Sequence, residues 1–202
     1  MELNIFGYSL YELLLWFWIY SFLGWSFECI YAAIHEGRLI NRGFVHSPFC
    51  IIYGFGALSI ILLLSPIKSN IFLLFIVGVI VTSILEFLVY VLLDKIFHQK
   101  WWDYSDLKYN FKGILSLESS IAWGVLSVLL LKLLQPFIVY LLTFLPKWLG
   151  IDIILVVTII YVVDFIISST IAMKRSGSSK MTILKVKTVT LRKILVKFFR
   201  RK

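Results

Sequence analysis

Four carboxylates, Glu28, Glu86, Glu118 and Asp164, stand inside otherwise apolar stretches of the chain. A carboxylate facing hydrocarbon costs several kcal/mol, so each must turn toward a bundle interior, a water-filled cavity or a partner. So placed, it can bind a cation or an amine, relay protons, or act as a general base. It can equally be neutral, or paired as structural glue. In the topology derived below, each acid lies roughly four to eight residues from one membrane boundary, about 6–12 Å deep at the helical rise. The four are therefore expected to share one layer.

Basic and hydrogen-bonding groups flank that layer. The segment His35-Glu36-Gly37-Arg38-Leu39-Ile40-Asn41-Arg42-Gly43-Phe44 is short, and its glycines predict a turn rather than a helix. Arg38 and Arg42 can pair with the acids or clamp a phosphate or carboxylate, although topogenic charge at a membrane boundary also accounts for them. In the segment after residue 100, Trp101, Trp102 and Tyr104 fit an interfacial aromatic belt, which leaves Asp103, Ser105 and Asn110 unexplained. Those polar residues suit a loop folded back over helix ends, with Asn41, Asp103, Tyr104 and Asn110 as its expected supports. GxxxxGK[ST], GxSxG and HExxH are absent, and His35, His46 and His98 lack metal-ligand spacing. Neither a metal nor a cofactor is expected.

The elements that position these residues follow from hydropathy. Sixty per cent of the 202 residues are apolar and 15% are charged, a lipid-solvated composition. Apolar runs at about 10–34, 48–65, 70–93, 114–134 and 150–172 predict five spans, each near the length a bilayer requires. Span two is expected to start at Pro48 and to close at Pro66. Residues 135–149 read as an interfacial connection, or as a continuation of span four past a kink at Pro136. Glu2 replaces a basic n-region and no small-residue cleavage site follows, so span one is expected to remain in the mature protein. Spans one and three each carry a Glu before their exit, a weak hint of an internal repeat.

Counting bases orients the bundle. With the N-terminus outside and the C-terminus inside, 17 Lys and Arg face the cytoplasm and three, Lys68, Lys132 and Lys147, face out. Eleven of the 17 lie in residues 174–202, which contain no acid. That tail is expected to form a separate basic unit, flexible at 174–181. At 191–202 it is expected to form an amphipathic helix resting on anionic lipid, which an apolar Leu/Phe face favours over nucleic acid. Cys29 and Cys50 fall at the reducing side and are read as apolar packers rather than a disulfide.

A resemblance adds to these readings. Gly24-Trp25 with Glu28, then Asn41-Arg42-Gly43-Phe44, Pro48 and Tyr53-Gly54-Phe55-Gly56 resemble the ABC-transporter type IV membrane family, also labelled CmpB. Trp102-Asp103-Tyr104-Ser105, Asn110, Gly113 and Trp123-Gly124 continue the likeness, which covers roughly residues 10–130. The family name implies a permease partnered by a separate ATPase subunit.

The expected protein is thus an all-α polytopic bundle at residues 1–173 with a basic tail at 174–202, multi-pass in the cell membrane. Its expected function is a permease-like transport component. Its site would open to the cytoplasm among Glu28, Glu86, Glu118 and Asp164, balanced by Arg38 and Arg42. An acidic site favours a cationic or amine-bearing substrate, or proton coupling. A membrane-embedded enzyme acting on a lipid head group, or a non-catalytic scaffold, is the alternative. The bilayer is the certain partner, no nucleic acid is expected, and assembly into a homo-oligomer is left open.

Overall fold

A computed structural model describes residues 4–199 apart from Leu39, Arg42 and Gln99, with side chains described as far as Lys174. The chain is an all-α membrane bundle. It opens on a two-residue hairpin, β1 (Asn4–Ile5) and β2 (Tyr8–Ser9), turned through Phe6 and Gly7 at positive φ. Ser9 then caps α1 (Leu10–Glu36), and the Glu12 carboxylate returns to the Ser9 backbone N–H, so two of the helix's free N–H groups are satisfied. α1 ends at Gly37, in the left-handed conformation.

Four helical stretches are long and apolar enough to cross a bilayer: α1, α3 (Ile71–Phe97), the combined segment Leu117–Leu142, and the first part of α6 (Lys147–Phe199). The second apolar helix, α2 (Ile51–Leu64), is shorter, and a 3₁₀ turn at Ser65–Ile67 closes it around Pro66. It begins at Ile51 rather than at Pro48. The reason lies in its neighbours: the Ser47 N–H is held by Asp164 on α6, and the Cys50 N–H by the Ser21 carbonyl on α1. Both bonds keep the backbone non-helical up to Cys50.

Of the two readings of residues 135–149, the continuation of span four past Pro136 holds for 135–142, which are helix. α4 (Leu117–Leu129) runs through a π-helical turn at Leu130–Leu134 into α5 (Gln135–Leu142). In that turn the Gln135 N–H reaches the Leu130 carbonyl, five residues back. The wider turn lets Pro136, which has no N–H to give, enter without ending the helix. α6 carries its helical backbone to Phe199, through the segment read from composition as flexible. The amphipathic face expected at 191–202 lies outside the described side chains, and its last three residues lie outside the described residues.

Packing joins α1 to α2 and α3 to α4 most closely, with α2 against α3 between the two pairs. Small residues set these approaches. A Cβ on Gly54 would meet Ser21 Oγ of α1, while one on Gly78 would meet Ser127 Cβ of α4 at 2.7 Å. The core around Trp16, Tyr20, Ile61, Leu64 and Leu74 fills the space between these helices. α6 packs chiefly on α1, through Trp18, Ile154 and Tyr161.

The loops separate to the two ends. The loop at 37–50 and the loop at 98–116 meet at one end, where the Phe44 ring lies 5.0 Å from Trp101. The second loop carries its own hairpin, β3 (Asn110–Phe111) and β4 (Leu115–Ser116), turned through Lys112 and Gly113 at positive φ. Arg38, Lys100, Lys108 and Lys112 belong to this end by their place in the two loops, Lys68 and Lys147 belong to the other, and Lys132, expected outside, lies in the π-turn within the span Leu117–Leu142.

Candidate functional site

Glu86 lies on α3 and is 5% exposed. Its Oε1 accepts from the Tyr104 hydroxyl at 3.0 Å, a bond that folds the second loop back over the helix. Burial and then the Glu86 carboxylate push the Tyr104 phenol up, and Glu28 adds to that push, so Tyr104 stays protonated as the donor. Glu86 Oε2 is buried with no hydrogen-bond partner. The Trp123 indole stands near enough to act on the carboxylate but makes no hydrogen bond to that oxygen.

Glu28 enters the same region from α1. Its Oε1 accepts from the Tyr53 hydroxyl at 2.5 Å. Gly24 permits this, because a Cβ there would run into the Tyr53 ring, which lies flat against α1 one turn before Glu28. The Tyr53 ring also packs on Trp123 with centroids 5.3 Å apart. Glu28 and Glu86 are thus brought together through two tyrosine hydroxyls at the loop end of the bundle.

Two of these side chains, Tyr53 and Glu86, line a cavity of about 290 Å³ among α1, α2, α3 and α4. Tyr53, Glu86 and Trp123 line one part of it, and the remaining lining is almost wholly apolar. At the far end the Tyr20 hydroxyl donates to Gln135 Oε1 at 2.6 Å, tying α1 to α5. Between these closures, Phe27 of α1 and Leu129 of α4 both line the cavity and remain about half exposed, so it opens sideways between the two helices.

The other expected acids lie elsewhere. Glu118 sits exposed in the first turn of α4, where the helix dipole favours an anion. Asp164 joins α6 to the first loop. It accepts from the Ser47 N–H at 2.5 Å, stands 3.1 Å from His46 Nδ1, and accepts from Ser168 at 3.3 Å. Glu28 and Glu86 both act on the Tyr104 phenol, whereas Asp164 bonds the first loop and Glu118 is exposed at the start of α4. Arg38 is exposed and lies 3.7 Å from Glu36, while Arg42 lies outside the described residues.

Asn41 organises the first loop. Its Oδ1 accepts from Trp25 Nε1 at 2.9 Å and from the Gly43 N–H at 3.0 Å, and its amide donates to the carbonyls of Val45 and His46. Asp103 and Asn110 organise the second. Asp103 accepts from the Ser105 N–H and hydroxyl and from Lys100; Asn110 donates to the Ser105 and Leu107 carbonyls and accepts from the Gly113 N–H. The Ser105 hydroxyl and then Lys100 hold the Asp103 carboxyl at about 2.

Tyr53 and Trp123 line the cavity and Gln135 ties off its far end, and none of the three is marked as a site residue by charge. Tyr53 and Trp123 each stand beside a glycine, Gly54 and Gly124, and that pairing of a ring with a close-approach residue was the available signal. Gln135 looked like part of a connection, and no signal marked its role.

Residues 15–169 of the chain match the family model described as Putative ABC-transporter type IV. No curated protein and no solved structure matches the chain.

Proposed function

Because the chain belongs to the ABC-transporter type IV family, as a multi-pass, transport-related membrane protein, we propose that it is the permease-like subunit of a transport system. Its substrate site is the cavity lined by Glu86, with Glu28 held on the Tyr53 hydroxyl beside it. The observation that carries this reading is Glu86 itself, a buried carboxylate with one oxygen unpartnered at the wall of a cavity. A buried charge lacking a full set of donors is costly, and such residues in membrane helices mark substrate or proton pathways. The negative charge selects a cationic or amine-bearing substrate, or a proton. The chain carries no P-loop, so ATP-driven transport requires a separate ATPase subunit.

The proposed orientation places the two loops and the C-terminal tail in the cytoplasm. Supporting it is the segregation of bases: the end formed by the two loops is the end richer in Lys and Arg. The tail, with eleven bases and no acid, is proposed to lie on anionic lipid of that leaflet.

The test is to isolate the full chain from its own membrane in mild detergent and reconstitute it with whatever copurifies. ATP hydrolysis stimulated by amine-bearing compounds, and lost in Glu86→Gln, is the expected result. A preparation with no associated ATP hydrolysis that instead alters phospholipid head groups would replace this reading with the lipid-enzyme one.

A further inference from the structure

We infer that the cavity between α1, α2, α3 and α4 binds a single-chain amphiphile with a protonated amine head, which enters from the bilayer between α1 and α4. The inference rests on the transport reading above and narrows its substrate class.

The lining separates into two kinds of surface. Among its polar groups, the Tyr53 hydroxyl is already donated to Glu28, that of Thr82 to the Gly78 carbonyl, and that of Tyr20 to Gln135. Glu86 Oε2 remains without a hydrogen-bond partner, beside the Trp123 indole, and it calls for a hydrogen-bond donor. The Glu86 carboxylate repels an anionic head, whereas an ammonium group supplies both charge and donor. The rest of the wall, from Ala57 and Ile60 on α2 to Leu126 on α4 and Leu130 in the π-turn, is apolar. A fully polar solute would lose its hydration there without replacement, while an alkyl chain loses none.

Shape points the same way. At about 290 Å³ the cavity stands at the lower end of ligand-site volumes, which run from about 300 to 1,000 Å³. It is tied off near Tyr20 and Gln135 and opens sideways where Phe27 and Leu129 remain exposed. On a bundle whose outer surface is apolar, that opening faces acyl chains. A ligand already dissolved in the leaflet reaches Glu86 without crossing the loops.

The test uses the full chain in nanodiscs of bilayer lipid, with two photoreactive probes of equal chain length, a diazirine-tagged dodecylamine and a diazirine-tagged dodecanol. The amine should label the peptides carrying Phe27 or Leu129 saturably, and excess untagged dodecylamine should displace it. The alcohol should label only outward faces. Glu86→Gln should lower amine capture by about tenfold or more, the effect of losing one charge-assisted hydrogen bond. Gly56→Leu provides a second variant that keeps the carboxylate. A Cβ at Gly56 meets Leu85 Cδ2 at an ordinary 3.6 Å, and a longer side chain there enters the cavity. It should reduce capture while leaving the unfolding temperature near that of the wild type. Equal cavity labelling by alcohol and amine, or undiminished capture by both variants, would overturn the inference. Competition by propylamine as effective as that by dodecylamine would overturn entry from the bilayer and leave the acidic transport site standing. Saturable amine capture, with no ATP hydrolysis copurifying from the native membrane, would uphold this site and remove the transport reading.

Discussion

Glu86 on α3 and Asp164 on α6 are both acids in apolar helices, and the molecule treats them in opposite ways. Asp164 receives a backbone N–H, faces an imidazole and accepts from a serine hydroxyl. Every strong direction of its carboxylate is met by the protein, and its work is to pin the first loop to the last helix. Glu86 receives one tyrosine hydroxyl and keeps an oxygen without a partner at a cavity wall. The difference teaches that charge in a membrane helix does not by itself signify function. What distinguishes the two is whether the fold has already supplied the donors.

That contrast can be broken by exchanging the roles. Glu86→Gln should reduce binding of a cationic ligand by about 10- to 150-fold, since a charge-assisted hydrogen bond is worth about 1.5–3 kcal/mol. Its unfolding temperature in nanodiscs should hold, because the fold gains little from a half-satisfied carboxylate. Asp164→Ala should do the reverse. It strands the Ser47 N–H and should cost about 1–3 kcal/mol of stability with ligand affinity unchanged. Parallel melting and binding curves check both variants, and a loss of both properties in both would erase the distinction.

Gly24→Ala tests how Tyr53 is placed between Glu28 and the cavity. The new Cβ meets the Tyr53 ring, so α1 and α2 must separate or the ring must turn away from Glu28. Overpacking of this kind costs about 1–3 kcal/mol. Because it also disturbs the Tyr53–Glu28 bond, it should lower stability and ligand affinity together, unlike either acid variant.

The smallest effect belongs to the second loop. The Asp103 carboxyl, held at about 2 by Ser105 and Lys100, lies below its ordinary value of about 3.9. A depressed carboxylate stabilises the folded loop above its unfolded pKa, and that contribution fades as pH falls toward 2. Exchange protection of the Ser105 amide should persist at pH 5 and decline between about pH 4 and pH 2, and Asp103→Asn should flatten that profile.

The helices and the acids were legible because each rests on a local signal. Apolar runs mark helices, and Glu28 or Glu86 stands out by charge alone. Asn41 and Asp103 were legible as loop supports because short polar side chains beside glycine and serine bond their own backbone. The donors were not legible. Tyr53 reaches Glu28 from another helix and Tyr104 reaches Glu86 from a loop, and neither spacing appears along the chain. Depth from a boundary placed four acids in one layer, but depth carries no information on rotation. Rotation about the helix axes brings Glu28 and Glu86 together and turns Asp164 toward His46. The π-turn before Pro136 was equally hidden, since an extra residue in one turn leaves no mark on hydropathy.

The contrast between the two carboxylates can be read directly by chemical reactivity. Dicyclohexylcarbodiimide dissolves in the bilayer and modifies carboxyl groups it can reach there, and peptide mapping reports which ones react. Treated in its membrane, the full chain should be modified at Glu86, and dodecylamine should protect it. Asp164, whose oxygens accept from the Ser47 N–H and the Ser168 hydroxyl beside His46, should remain unmodified. Modification of Asp164 at a rate equal to Glu86, or a Glu86 inert to the reagent, would contradict the assignment of the open carboxylate as the ligand site.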